Sequence, residues 1–351
     1  MSSSTVQVVE VAPSDVTPIT PSIESMLGPI TLDAFLKDTY QPSRDGNDFQ
    51  SVQGRGGQGL PPKALVVKLP DDASQEDRAT RLSYLKEQMN NFHPVRMLEA
   101  SSSTTSGAGI NVWLTPDKNA TKEAPSKIST LKVEDPTKAA LLYKSGHSLY
   151  FRAADDLESL FVPPLLKSLG HGIPSAMYYR DGLKRGEIET FASHIGHTTP
   201  WHWDFQENFT VQLRGSKTWY LYSGEEDTTI PAPYRAMALH FGTASEAAFN
   251  PSAYLENCRV QHMQHALHKN STMGKFKGVL PDDVRSRCVA VTLQPGDVLY
   301  HPAGVWHQVE TVPPLHSADE ASLSINVSLF PETYAEHVAE SIYHQMATCS
   351  A

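Results

Sequence analysis

The stretch Thr199-Pro-Trp-His202-Trp-Asp204-Phe-Gln-Glu-Asn208-Phe-Thr-Val-Gln-Leu-Arg-Gly-Ser-Lys217-Thr-Trp-Tyr-Leu-Tyr222 reads as two strands around a tight turn. Residues suited to a pleated sheet fill His202–Leu213 and Lys217–Tyr222, and Arg214-Gly215-Ser216 supplies the turn. In an extended chain, residues two apart point to the same side. His202 and Asp204 then present an imidazole and a carboxylate to one ion.

Working outward, further strands are predicted at Ser175–Tyr179, Cys288–Leu293, Asp297–His301, His307–Thr311 and Ser322–Phe330, with a second turn at Gln294-Pro-Gly-Asp297. Many short strands with tight turns predict a mainly β fold with flanking helices, a double-sheet barrel or sandwich. Gly296-Asp-Val-Leu-Tyr-His-Pro-Ala-Gly-Val-Trp-His307 brings a third ligand into the same sheet. Two His and one carboxylate, with positions left open, form the facial set of non-haem Fe(II) oxygenases.

Before this region, residues 1–29 are rich in Ser, Thr and Pro and read as a mobile tail. Thr31–Tyr40 reads as a short capped helix, Ala64–Leu69 as a strand, 75–90 and Asp156–Leu169 as helices, and Ile110–Leu114 as a strand; Pro136–Tyr143 is read as leading into another. Gly54-Arg-Gly-Gly-Gln-Gly59 matches a dinucleotide fingerprint, but Pro61-Pro62 and a strand follow where a helix is needed, so a plain loop is expected. The expected organisation is a tail at 1–29, an N-terminal α/β region at 30–140 packing on the core, a β core at 141–330 with an insertion at 224–286, and a C-terminal helix at 331–351.

The 351 residues are 40% hydrophobic and 19% charged, with a net charge of -10, and no dense basic run offers a groove for a phosphate backbone. Nucleic acid is not an expected partner. Nor is a membrane, since no apolar run approaches the roughly 20 residues of a span. The first basic residue is Lys37, so neither a signal nor a transit peptide is expected, and the protein is read as intracellular, cytoplasmic or nuclear. Three unpaired cysteines, Cys258, Cys288 and Cys349, predict neither disulfides nor a zinc knuckle.

Residues 173–330 resemble the jumonji-C and cupin-like Fe(II)- and 2-oxoglutarate-dependent oxygenases, including the branches of the hypoxia-inducible-factor asparaginyl hydroxylase and the ribosomal oxygenases. The resemblance rests on T-P-x-H-x-D, the Asn that follows, Q-L-x-G-x-K, and G-D-x-L-Y-x-P-x-x-x-x-H, all present in order. It implies a double-stranded β-helix, the jelly roll of the cupins. It implies Fe(II) on His202, Asp204 and His307, 2-oxoglutarate as co-substrate with its distal carboxylate on Lys217, and O2 as oxidant. Thr199, Asn208 and Asn326 match positions near the co-substrate, and Tyr178 or Tyr179 falls on a strand that often lends a Tyr to that pocket. Hydroxylation is the implied reaction, releasing succinate and CO2. The dimerisation region and winged helix of the ribosomal branch have no counterpart here, so that substrate does not transfer.

Residues 180–198 and 224–286 match no family pattern and read as insertions that build a substrate site. His262, His265 and His268 share a helical face and read as solvated; His194 and His197 lie just ahead of the metal strand as candidates to reach the substrate, and His301, on the strand before His307, is a candidate to support that ligand. Trp201, Trp203 and Trp306 flank the ligands and read as core packing. A protein side chain and a small metabolite are both open as substrate, and the terminal helix is a candidate homodimer contact. Two rival classes stand beside the oxygenase: a cupin dioxygenase, lyase or isomerase that does not use 2-oxoglutarate, and a non-catalytic cupin binding protein.

Overall fold

The computed structural model describes residues 6–40, 63–102, 110–114, 130–169, 186–202, 204, 206–222, 283–302, 305–314, 321–329 and 342. Thirteen strands lie within them: β1 Val6–Glu10, β2 Ala64–Lys68, β3 Ile110–Trp113, β4 Thr130–Val133, β5 Ser148–Arg152, β6 Gly186–His194, β7 Thr198–His202, β8 Glu207–Arg214, β9 Ser216–Tyr222, β10 Val289–Leu293, β11 Val298–His301, β12 Trp306–Val312 and β13 Ala321–Leu329. The helices are α1 Ile23–Leu27, α2 Leu32–Asp38, α3 Gln75–Gln88, α4 Pro94–Ser102, α5 Pro136–Lys144 and α6 Asp155–Ser168. A nine-stranded sheet runs β1-β2-β11-β8-β13-β6-β5-β3-β4, and a four-stranded sheet runs β10-β9-β12-β7. This is the mainly β, jelly-roll arrangement with flanking helices that the strand run predicts.

Alternation decides what each face of the large sheet meets. On β13, Leu323, Ile325, Val327 and Leu329 join the main apolar core, and Phe209, Val211 and Leu213 of β8 do the same. That face is covered by the helices through Ile23, Phe35, Leu85, Leu98, Ala139 and Phe161, each at most 1% exposed. Burying each large apolar side chain contributes about 1.5–3 kcal/mol. The opposite residues are polar: Ser322, Ser324, Asn326 and Ser328 on β13, and Asn208, Thr210 and Gln212 on β8, all buried. They look toward the four-stranded sheet. Where the two sheets touch, Val66 and Leu299 of the large sheet pack on Trp219, Leu221, Val291 and Val309 of the small one. The inside of the jelly roll is therefore apolar at one side and polar at the other.

Four expectations change. Residues 6–29 are not a tail: β1 pairs in parallel with β2, and Ile19, Ile23, Met26 and Leu27 are at most 1% exposed. Their apolar residues, Val6, Val8, Val9 and Val11 and then Val16, Ile19, Ile23, Met26 and Leu27, keep no single period among the Ser, Thr and Pro residues; long-range pairing and the Ser22 cap on Ser25 N order them. Pro136–Tyr143 is helix, begun by Asp135, whose carboxylate accepts from Thr137 N and Lys138 N, with Pro at the first turn. Residues 186–198 are no insertion: β6 lies between β13 and β5 inside the large sheet. Finally, His202–Leu213 is not one strand. His202 ends β7, β8 begins at Glu207, and Asp204 lies in the connection.

The expected strands at 64–69, 110–114, 288–293, 297–301, 307–311 and 322–330, and the helices at 31–40, 75–90 and 156–169, are present within a residue or two. The Gly-rich segment 54–59, Ser175–Tyr179 with Tyr178, Trp203, residues 223–282 with His262, His265 and His268, and the terminal helix apart from Ile342 lie outside the described residues. Among those described, no helix is long and apolar enough to cross a membrane.

The β8–β9 turn depends on Gly215, which has φ of +60°. A Cβ there would meet Ala321 O at 2.6 Å and Ser322 Cα at 2.9 Å, both backbone of β13. Gly215→Ala is expected to destabilise the fold by about 1–3 kcal/mol, read as a lower urea midpoint.

Candidate metal centre

His202 closes β7 directly opposite His307 on β12, and their ring centroids are 4.1 Å apart. Asp204 Oδ2 lies 3.7 Å from His307 Nε2. One ligand atom from each of the three residues falls within 4.8 Å of the other two, close to the span of at most about 4 Å that donors about 2 Å from a shared ion adopt. Hydrogen bonds fix the tautomers. Nδ1 of His202 is 2.8 Å from Pro200 O, and Nδ1 of His307 is 2.9 Å from Val305 O. A carbonyl only accepts, so each Nδ1 carries the proton and each Nε2 keeps its lone pair for an ion. Burial, then the neighbouring His202 and His301, holds the His307 imidazole well below its usual pKa, in the neutral form that binds metal. Two imidazole nitrogens and one carboxylate fit a divalent transition metal with open positions.

A chain of polar side chains supports Asp204. Asn208 Nδ2 donates to Asp204 Oδ2 at 3.1 Å, and Asn208 Oδ1 accepts from Asn326 Nδ2 at 3.0 Å and Ser328 Oγ at 2.8 Å. Asn326 Nδ2 and Ser328 Oγ also reach Glu189 Oε2, each at 3.2 Å, while Tyr150 Oη donates to Glu189 Oε1. Thr210 Oγ1 donates to Asn326 Oδ1 at 3.1 Å, which fixes that amide's orientation. The network crosses β5, β6, β13 and β8 to end on the acidic ligand. Burial, and then Glu187, pushes the Glu189 carboxyl up to about 7. The folded protein thus holds a proton that the unfolded chain loses near pH 4.5. The resulting stability is full below that pH and is lost as pH rises through 7. Glu189→Gln is expected to stabilise the protein at pH 8, on the order of 1–3 kcal/mol, with no difference at pH 4, measured by urea unfolding at both pH values.

Lys217 is the second residue of β9, on the same face as Trp219 and Leu221 and opposite Thr311 of β12. It is 4% exposed, its Nζ donates to Ser324 Oγ at 2.8 Å, and it lies 5.4 Å from the centre of the Phe191 ring. Among the described residues, no carboxylate is within ion-pair distance of it. Burial pulls its ammonium down to about 7.

The structure brings His202, Asp204 and His307 together and places Asn208 and Asn326 in the network behind Asp204. Thr199 lies on β7 opposite Val309. His301 is 1% exposed with its ring 4.7 Å from that of His307, and burial pulls it down to about 4, so it packs as a neutral ring beside the ligand. His194 Nε2 meets Tyr143 O at 2.9 Å, away from the ligands. Trp306 is 3% exposed, as expected of a packing residue, and Trp201 is partly exposed. Tyr150, Glu189, Phe191 and Ser324 belong to the site without having been expected there, whereas His197 was expected near the substrate. Alternation on β6 and β13 groups Glu189 with Phe191 and Ser324 with Asn326, which is the signal that was available.

The family model described as the cupin-like domain matches residues 63–330. The uncharacterized protein YxbC of Bacillus subtilis (strain 168) is 22% identical over 306 residues, 87% of this chain and 70% of YxbC. Among solved structures, YcfD, a ribosomal oxygenase from Escherichia coli, is similar with 13% identity and a TM-score of 0.36, over 86% of this chain and 55% of that one. The conserved SPY1581 protein of unknown function from Streptococcus pyogenes has 11% identity and a TM-score of 0.21, over 43% of this chain and 68% of its own. This chain thus spans little more than half of the E. coli structure. With the matched region covering the strands β2 to β13 and all three candidate ligands, the chain belongs to the cupin-like domain family.

Proposed function

We propose that this protein is an Fe(II)- and 2-oxoglutarate-dependent oxygenase that hydroxylates a C–H bond of a protein side chain or a small metabolite. The observation that carries the reading is the pairing of two features inside one jelly roll: a two-His, one-Asp donor set, and a buried lysine with no carboxylate of its own among the described residues. An unpaired buried charge is costly, and the distal carboxylate of 2-oxoglutarate is a counter-charge of the right kind.

His202, Asp204 and His307 would hold Fe(II). When bound, the metal supplies the activation of O2 that couples decarboxylation of 2-oxoglutarate to oxidation of the substrate. One oxygen atom of O2 enters succinate and the other becomes the hydroxyl group, with CO2 released. The protein's own residues do the rest. The Pro200 and Val305 carbonyls hold the imidazoles in the binding tautomer. Asn208 fixes the Asp204 carboxylate. The two-sheet interior keeps bulk water from Lys217, which strengthens its attraction for an anion. Succinate release from 2-oxoglutarate is expected to require both Fe(II) and O2. Metal-dependent activity on some other compound with no succinate formed would instead assign a cupin enzyme that does not use this co-substrate.

A further inference from the structure

His197 lies between β6 and β7, and its backbone is clamped to β12: Thr311 N donates to His197 O at 2.8 Å, and Gly196 N donates to Thr311 O at 2.9 Å. Thr311 is also the register partner of Lys217 on the other edge of β12. One residue therefore separates the backbones of His197 and Lys217. The imidazole lies flat on Trp113, with centroids 5.0 Å apart and planes at 8°. Trp113 is 5.8 Å from Phe191, the ring over which the Lys217 ammonium sits. His197 is 9% exposed, yet its buried Nε2 has no hydrogen-bond partner. An unmade hydrogen bond in the interior is costly, and a ligand accepting from this nitrogen would offset that cost.

The ring is held neutral, pulled down to about 4 by burial and then by Lys217 and His194. A neutral imidazole can offer an N–H beside an ammonium without like-charge repulsion. The Ser324 hydroxyl already accepts from Lys217 and keeps its own proton to donate. His197 stacks on Trp113 while Lys217, bonded to Ser324, sits over the adjoining Phe191 ring, so the three donors border one aromatic pair.

We propose that His197 is a binding residue for the co-substrate: its Nε2–H takes one oxygen of the distal carboxylate while Lys217 and Ser324 take the other. This rests on the oxygenase reading above and extends it to a residue with no counterpart in the sequence pattern. His197→Phe keeps the stack on Trp113 and removes the donor. His197→Gln returns an N–H.

The test is a titration of 2-oxoglutarate into full-length protein loaded with Mn(II), under nitrogen, with Mn(II) affinity and melting temperature measured on the same preparations. His197→Phe is expected to weaken 2-oxoglutarate at least about tenfold, as loss of a hydrogen bond to a charged group does, with Mn(II) affinity unchanged and melting no lower. His197→Gln is expected to recover most of the loss. Binding by His197→Phe within about twofold of wild type would overturn the proposal, as would parallel losses of 2-oxoglutarate, Mn(II) and melting temperature, which mark a structural role. Wild-type protein that binds Mn(II) but not 2-oxoglutarate would overturn the oxygenase reading and this proposal together.

Discussion

Asp204→Ala is expected to weaken the binding of Fe(II), or of Mn(II) in its place, by more than about a hundredfold. Losing a residue that only hydrogen-bonds a metal ligand typically costs 10–100-fold, and Asp204 is proposed as a ligand itself. It is also the one anionic donor of the three. Without it, two neutral imidazoles face a divalent ion in a partly dry pocket, where the lost attraction is poorly replaced by water. The fold should survive, since the side chain is 29% exposed and its hydrogen bond comes from Asn208. Asp204→Asn should fail nearly as badly, because it keeps the shape and loses the charge. Metal affinity of either variant within tenfold of wild type, by calorimetry, would place the metal elsewhere.

Lys217→Met should separate activity from stability. Succinate formation is expected to fall by more than about a hundredfold, because removing one partner of a buried charge pair costs roughly 3–5 kcal/mol. The metal-loaded protein without co-substrate should nevertheless become more stable, on the order of 2–4 kcal/mol at pH 6–7, since Met fills similar space with no charge to bury. The pH dependence follows from the depressed pKa of Lys217. Below pH 7 the ammonium is protonated in folded and unfolded chains, and its burial penalty is full. Between pH 7 and 10.5 the folded protein has shed the proton while the unfolded chain keeps it, so the penalty shrinks. The variant's advantage in urea unfolding should therefore be largest at or below pH 7 and fade toward pH 10. A less stable variant at pH 6 would show that Lys217 has a counter-charge within the folded chain.

The three candidate ligands were legible because local spacing encodes them. His202 and Asp204 are near neighbours, and the turn at 294–297 delivers the strand that carries His307. Yet the local geometry differs from that reading. Asp204 joins the donor set from beyond the end of β7, and His202 meets His307 as a cross-strand partner. Spacing identified the residues without identifying the backbone that presents them. Glu189 and Tyr150 were illegible for a different reason. Their alternation is readable, but which face of β5 and β6 looks toward Asp204 depends on β6 pairing with β13, more than a hundred residues later. The same applies to β1, whose order comes from pairing with β2 and not from its own five residues. Lys217 stood out through its interval from Asp204, whereas the sequence marks His197 only by its place just ahead of the metal strand, and the fold adds a buried nitrogen without a partner.

The most direct measurement is a crystal structure of the protein grown anaerobically with Mn(II) and 2-oxoglutarate. The expected result is a single ion on Nε2 of His202, Nε2 of His307 and a carboxylate oxygen of Asp204, with 2-oxoglutarate running from that ion to the Lys217 ammonium. An ion on other residues, or a co-substrate whose distal carboxylate turns away from Lys217, would contradict the account.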